Sequence, residues 1–430
     1  MSDTHAKNGG AESGDVGKSP GSDEEEAAKF SEVLGNREAA GLLAAFSLST
    51  AGSMLMRVAL TFLVFNATDS AILATLAFGI TYAPYLGFAQ VLGAFTDRFP
   101  YKRVMITADV VRAILIGFAA IPGIPIPLLI IIVFLSSMLL PAYHAARTAM
   151  LPQILKGEKL STAIALNMSV SQASQLTGYF LGGVLAALNP HIALGINAAA
   201  FAVAAIVVLL LVDHRPATIP KERKNLLIET VDGFKLVFTD KMLCAIALAV
   251  FFLVAFTIVP EGAAVLWADH LDGGAILQGS IMAGSPLAAI ISAVVFTRFI
   301  KPATRRKMMK PMLFIAPLSL VPALLDPPAA VVICIAIVCN LMIGVLASLN
   351  ATFNRAVPDG YRGRTNTIMM GGMSLIQGLS VVGVGLVVSA GISVPTAVGL
   401  WGIVGVCVMG ALVLIWPTPE QFRQREAQSA

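Results

Sequence analysis

Between residues 41 and 416 the chain is a succession of apolar runs, each about 20 residues long and free or nearly free of charge. They fall at roughly 41–65, 71–95, 103–121, 127–147, 161–188, 191–212, 242–266, 275–299, 308–325, 328–352, 364–390 and 394–416. A segment in hydrocarbon must satisfy its backbone hydrogen bonds internally, which only helices and closed barrels achieve. The runs are too long and too uniformly apolar for the alternating strands of a barrel, so they predict twelve helices. Hydrophobic residues make up 57% of the chain and charged ones 13%, where a soluble domain carries about 25% charged. Lipid has to solvate that excess of apolar surface. The breaks between runs, such as "NATDS", "PGIPIP", "DHLDGG" and "DPP", suit tight turns.

The basic residues give these helices a direction. Every second loop lacks Lys and Arg, and 27 of the 29 basic residues fall on the other side. Arg57 and Arg112 lie within runs. Basic loops face the cytoplasm, so both termini are expected there and the number of spans is even. Residues 1–38 are polar, small and acidic, with no signal-peptide core, and read as a disordered cytoplasmic tail. The polar segment 213–241 divides the remainder into six runs at 39–212 and six at 242–416, with a cytoplasmic tail at 417–430. Within the divider, "NLLIETVDGFKLVF" has helical apolar spacing and predicts a short surface helix. "FTDRF" after the second run echoes "FTRFI" after the eighth. Two parallel six-span repeats are an architecture of secondary transporters.

Little else in the chain points to chemistry. Cys244, Cys334, Cys339 and Cys407 all lie in apolar runs with no CxxC pair, so neither a zinc site nor a disulfide framework is expected. There is no phosphate-binding GxxxxGK[ST] loop, and the five histidines are scattered rather than grouped as an enzyme would need. No cofactor, metal or nucleic acid is expected.

One short stretch, "GAFTDRFPYKRVMITADVVRA" (93–113), concentrates charge between apolar runs. "GAFTDRFPYK" resembles the loop between the second and third helices of the major facilitator superfamily, roughly G-x-x-x-D-R-x-G-R-K. Gly93, Asp97, Arg98 and Lys102 match, and Arg103 adds a positive charge; Pro100 and Tyr101 depart from the pattern. "ADVVRA", "PAYHAARTAMLPQIL" (141–155) and "VPDGYRGR" (357–364) are similar to a subgroup of drug, macrolide and siderophore exporters, including the enterobactin exporters. The resemblance spans residues 40 to 416. It implies an all-α fold of twelve transmembrane helices in two six-helix bundles, with Asp97 as a cytoplasmic latch facing the start of the eleventh helix near Gly363 to Asn366. A carboxylate at a helix N-terminus gains about 0.3–1 kcal/mol, and up to about 2 when partly buried. That is enough to bias a two-state equilibrium without freezing it. The plainer alternative is that Arg98, Lys102 and Arg103 only anchor the loop.

Charges inside spans carry further expectations. Asp109 and Arg112 stand three apart on one helix face and can pair, for structure or for function. Arg57 lies deep in the first span, where insertion costs roughly 2.5–3.5 kcal/mol, so it implies a cavity or a partner, the alternative being that it snorkels to the outer surface. The exporter subgroup often has an acid near this point; here Ser53 stands instead. Glu261 in "TIVPEGAAVLWADH" is the remaining intramembrane acid, able either to carry a proton or to sit as an outer-surface carboxylate. Arg57 and Glu261, in the first helices of opposite halves, are predicted to face each other. "SQLTGYFLGG" (174–183) resembles the antiporter motif G-x-x-x-G-P-x-x-G-G, matching at Gly178, Gly182 and Gly183, with Ser174 and Tyr179 in place of Gly and Pro. Close helix packing is the alternative reading of those glycines. Asn167, Ser171, Gln172 and Gln175 suit a helix beside an aqueous cavity.

Together these readings predict a non-enzymatic efflux transporter of the bacterial inner membrane, acting as a monomer. Its expected partners are protons, a hydrophobic or amphipathic small molecule and the lipid bilayer. A siderophore exporter or a lysophospholipid flippase of the same fold is the alternative.

Overall fold

The structure, a computed structural model, describes residues 30–85, 99–215, 226–299, 310–414 and 416. The described residues are helical. In chain order the helices are α1 (Phe30–Gly35), α2 (Arg37–Thr68), α3 (Ala71–Gly79, continued by a 3-10 turn Ile80–Tyr85), α4 (Tyr101–Ala119), α5 (Ile126–Met138), α6 (Leu140–Ile154), α7 (Glu158–Leu188), α8 (Pro190–Leu211) and α9 (Leu226–Thr239). They continue with α10 (Lys241–Thr257), α11 (Val259–Gly262), α12 (Ala264–His270), α13 (Gly274–Arg298), α14 (Ile315–Leu320, then a 3-10 turn Val321–Leu325), α15 (Ala329–Asn340), α16 (Ile343–Ala356), α17 (Arg362–Ser389) and α18 (Val394–Leu414).

Local chemistry sets where these helices begin and break. The Asn36 side chain accepts from the Glu38 and Ala39 amides, both at 3.0 Å, and so caps α2. Asp240 caps α10 through the Met242 and Leu243 amides. Pro190 occupies the start of α8, where its missing N–H costs nothing. Pro141 and Pro260 fall at the first turns of α6 and α11, and each marks an interruption of a longer apolar stretch.

Eight helices or helix pairs among the described residues are long and apolar enough to cross a membrane: Arg37–Thr68, Ile126–Ile154, Pro190–Leu211, Lys241–Gly262, Gly274–Phe296, Ala329–Ala356, Gly363–Ser389 and Val394–Leu414. The protein is therefore an all-α, multi-pass membrane protein. Of the other four predicted runs, 71–95 and 308–325 are described in part, as the shorter apolar helices Ala71–Tyr85 and Lys310–Leu325, with 86–95 and 308–309 outside the described residues. α4 carries Lys102, Arg103, Asp109 and Arg112, and α7 is lined with hydroxyls and amides.

Two expectations change. Residues 30–38 are not an unstructured tail: α1 buries Val33 against Leu155 and Ala163, and α2 already begins at Arg37. The fourth run does not end at Arg147. The helix continues to Ile154, which places Arg147 about two turns inside and leaves it only 8% exposed.

Helices on either side of segment 213–241 are joined by two seams, α7 against α13 and α3 against α17. Glycine makes both close. A Cβ at Gly183 would lie 2.7 Å from the Ala275 carbonyl oxygen, and one at Gly385 would lie 1.9 Å from Thr75 Oγ1. A further contact runs from Gln278 Nε2 to Thr61 Oγ1 at 2.6 Å. All three contacts sit toward the face opposite the Lys- and Arg-bearing loops. The predicted surface helix is present as α9, whose Gly233 packs on Arg364 and Ile368 of α17.

Candidate functional site: charges buried between the helices

α2 presents Ser49, Ser53, Arg57 and Thr61 at four-residue spacing, which puts them on one face. Against the first two lies the pair on α4. Arg112 Nη1 is 3.4 Å from Asp109 Oδ1, and the residues are 2% and 0% exposed. Arg112 also donates from Nη1 to Ser49 Oγ at 3.0 Å and from Nη2 to Ser53 Oγ at 2.9 Å. Its guanidinium carbon stands 3.8 Å from the centroid of the Phe201 ring. Ser53, which occupies the place where the exporter subgroup often has an acid, is thus an acceptor for a buried arginine. Asp109 Oδ2 and Arg112 Nε have no hydrogen-bond partner.

Further along α2, Arg57 donates to the Tyr82 hydroxyl at 3.3 Å and lies 5.0 Å from the Tyr82 ring centroid and 5.5 Å from that of Phe78. Tyr179 on α7 donates to Glu261 Oε2 at 2.9 Å. Arg57 interacts electrostatically with both Tyr179 and Glu261. The two predicted partners therefore belong to one cluster without a direct salt bridge, and Tyr179 links them. Glu261 is 8% exposed and also interacts with Ser285, which donates to Asn340 Oδ1 at 3.1 Å. This acid is enclosed by protein and is not an outer-surface carboxylate. Helices from both sides of segment 213–241 build this cluster.

A further buried charge is Arg147 on α6. It donates to Asn167 Oδ1 on α7, and its guanidinium carbon lies 3.7 Å from the Phe46 ring centroid. From Asn167, α7 carries Ser171, Gln175 and Tyr179 at four-residue intervals, with Gln175 Nε2 donating to Ser171 Oγ at 3.2 Å. This polar stripe runs about 18 Å along the helix, from Arg147 to Glu261.

The predicted glycines occupy close approaches. A Cβ on Gly178 would come 2.3 Å from the Ala51 carbonyl oxygen, and one on Gly182 would come 3.0 Å from the Leu55 Cα. Gly178 and Gly182 thus admit α2, while Gly183 admits α13. Of the loop motif, Gly93, Asp97 and Arg98 lie outside the described residues. Lys102 donates to the Leu209 carbonyl at 2.9 Å, tying the start of α4 to the end of α8, and Arg103 lies in the first turn of α4. Sequence reasoning missed Arg147, Tyr82, Tyr179 and Gln278 as members of the site. The i, i+4 recurrence of polar residues on α7 could have pointed to Tyr179; Arg147, Tyr82 and Gln278 lie on other elements and carry no such signal.

On the opposite face a separate cavity of about 520 Å³ is lined by Phe65, Asp69, Leu266, Asp269, His270 and Val394. Asp269 there titrates above the ordinary carboxylate range, because of partial burial and the neighbouring Asp69 and Asp272. His270 Nε2 lies 2.9 Å from Asp326 Oδ1.

Comparison with known proteins places this geometry. Residues 41–381 match the Major Facilitator Superfamily. Among solved structures, a POT family transporter in complex with 5-aminolevulinic acid superposes with a TM-score of 0.72 at 12% identity, covering 91% of this chain and 98% of that one. The nucleoside transporter NupG gives 0.67 at 14% identity, covering 87% and 98%. At such identities these structures establish the fold. Macrolide efflux protein A of Streptococcus pyogenes is 26% identical over 140 residues, which span 32% of this chain and 34% of that protein. The chain, a multi-pass membrane protein with seams of closely packed helices and charges enclosed between them, belongs to the Major Facilitator Superfamily of secondary transporters.

Proposed function

We propose that the protein exports a hydrophobic or amphipathic small molecule from the bacterial cytoplasm, in exchange for protons, by alternating access. The reading includes twelve spans in two six-helix bundles (39–212 and 242–416), joined by the 213–241 linker, with both termini cytoplasmic. Asp97, with Gly93, Arg98, Lys102 and Arg103, acts as the cytoplasmic latch. The observation that carries the proposal is the Tyr179–Glu261 hydrogen bond. It joins a helix before the linker to one after it at an enclosed carboxylate within electrostatic reach of Arg57, which supports Glu261 as the proton carrier. A group that gains or loses a proton there changes the strength of that contact and so biases which face is open. The partial likeness to a macrolide efflux protein supports export as the direction.

Uptake of a hydrophobic dye into inverted membrane vesicles under an imposed pH gradient tests this. Wild-type uptake is expected to cease when the gradient is collapsed, and Glu261→Gln is expected to make uptake indifferent to it. Wild-type uptake that continues undiminished after collapse would sink the antiport reading.

A further inference from the structure

Set between the described helices are three arginines, Arg57, Arg112 and Arg147, and two acids, Asp109 and Glu261. The charges do not cancel pairwise. Asp109 neutralises Arg112. Glu261 is held by Tyr179 and reaches Arg57 only at longer range. Arg57 and Arg147 form no ion pair among the described residues. Each lies instead against aromatic rings and neutral oxygens, Arg57 with Tyr82 and Phe78, Arg147 with Phe46 and Asn167. Arg147 is more than nine-tenths buried, and its Nε has no partner.

Arg147 has no counter-ion among the described residues and Arg57 has only the longer-range Glu261; an arginine so placed inside a membrane is costly and implies a further partner. The two sites are also connected. Asn167, Ser171 and Gln175 are half-buried, and with Tyr179 they form the stripe that leads from Arg147 to the surroundings of Arg57. A guanidinium offers a planar fork of donors that matches a carboxylate or a phosphate, and an amide–hydroxyl stripe passes such a group without competing for it. A cationic head would meet repulsion at both arginines.

We propose that the cargo carries an anionic head group, a carboxylate or a phosphate on an apolar body, with Arg147 as its first counter-ion and Arg57 as its second. This rests on reading the chain as an exporter of amphipathic molecules, and it narrows the substrate class within that reading. Arg57 and Arg147 are the specificity-determining residues; the Asn167–Ser171–Gln175 stripe lies on the route between them.

The test uses the full chain in lipid nanodiscs, with empty discs as the control. The probes share one dansyl-undecyl tail and differ in the head: carboxylate, phosphate, carboxamide or trimethylammonium. One or both anionic probes are expected to bind at least roughly tenfold more tightly than the carboxamide, as for hydrogen bonds to charged groups. The carboxylate and phosphate arms identify which anion is preferred. Arg57→Gln and Arg147→Gln are each expected to weaken the anionic probes more than the carboxamide and so remove most of that preference, while Arg57→Lys retains part of it. Thermal unfolding confirms that each variant is folded. Equal binding of all heads, tightest binding of trimethylammonium, or no binding to folded wild type would each overturn the proposal. Uptake of the same probes into vesicles separates the two readings. Anion-selective binding without transport defeats export and leaves the charge assignment standing; transport indifferent to head group does the reverse.

Discussion

At the scale of single residues, the chain is legible where a side chain is expensive. A charge in an apolar run has to be explained, so Arg57, Asp109, Arg112 and Glu261 are all visible in the sequence; Asp109, Arg112 and Glu261 are buried and Arg57 is half-buried. Tyr179 and Tyr82 are not visible, because a tyrosine sits comfortably in an apolar helix and only its neighbours reveal what the hydroxyl does. Arg147 escapes for another reason. At the edge of a run it looks like one more loop cation, and only Asn167 and the Phe46 ring make its burial tolerable. The Asp109–Arg112 pair allows a clean measurement at this scale. Removing one member leaves the other buried and uncompensated, so Arg112→Gln is expected to destabilise the protein by about 3–5 kcal/mol. The double variant Asp109→Asn with Arg112→Gln is expected to recover most of that loss. Unfolding in detergent, followed by intrinsic fluorescence, compares them; a double variant as unstable as the single would show that the pair is not the unit.

At the scale of elements, the three motif glycines of α7 all lie at close helix contacts. Gly178 and Gly182 face α2, and Gly183 faces α13, so one turn serves contacts on both sides of the linker. The adjacent polar stripe of α7 is set by the same helical repeat. Gly178→Ala puts a methyl 2.3 Å from the Ala51 carbonyl and 2.9 Å from Met54 Cβ, and overpacking of this kind costs about 1–3 kcal/mol. Gly195 on α8 supplies the control, since a Cβ there meets nothing within 4 Å. Gly195→Ala is expected to be neutral or to stabilise by up to about 1 kcal/mol from helix propensity. Measured side by side, equal effects on unfolding temperature would dismiss the close approach as a constraint. At the opposite end of the same bundle, Arg215 Nη2 donates to Glu38 Oε2 at 2.8 Å, and the Glu38 carboxylate holds the Arg215 guanidinium above its ordinary titration range. This pair ties the start of α2 to the segment after α8, as Lys102 ties α4 to α8 through the Leu209 carbonyl.

At the scale of the whole molecule, the contacts that join the two sides of the linker, Gly183 with Ala275, Thr75 with Gly385 and Thr61 with Gln278, gather toward the face without basic loops. They hold helices from the two sides of the linker together there. Alternating access requires those contacts to part, and Thr61 and Gln278 offer a handle. In a chain with Cys244, Cys334, Cys339 and Cys407 replaced by alanine, Thr61→Cys and Gln278→Cys are joined by a short bis-methanethiosulfonate. Transport is expected to stop on cross-linking and to return on reduction. Transport that persists in fully cross-linked protein would mean that this seam does not open during the cycle.

Hydropathy and the alternation of basic loops determined, from the sequence alone, that the chain is helical, spans a membrane many times and has a break near 213–241. These follow from local costs, namely unsatisfied backbone in lipid and charge in hydrocarbon, which each segment pays wherever its neighbours lie. The partners of the buried charges were decided only by tertiary structure. Asp109 and Arg112 are three residues apart, yet the serines that complete Arg112's bonds come from α2. Tyr179 and Glu261 meet because α7 packs beside the helices that follow the linker. Spacing along one helix reports a shared face; it holds no information about which helix that face will meet. For this protein that meeting separates Arg112, paired with Asp109, from Arg147, which has no ion pair among the described residues.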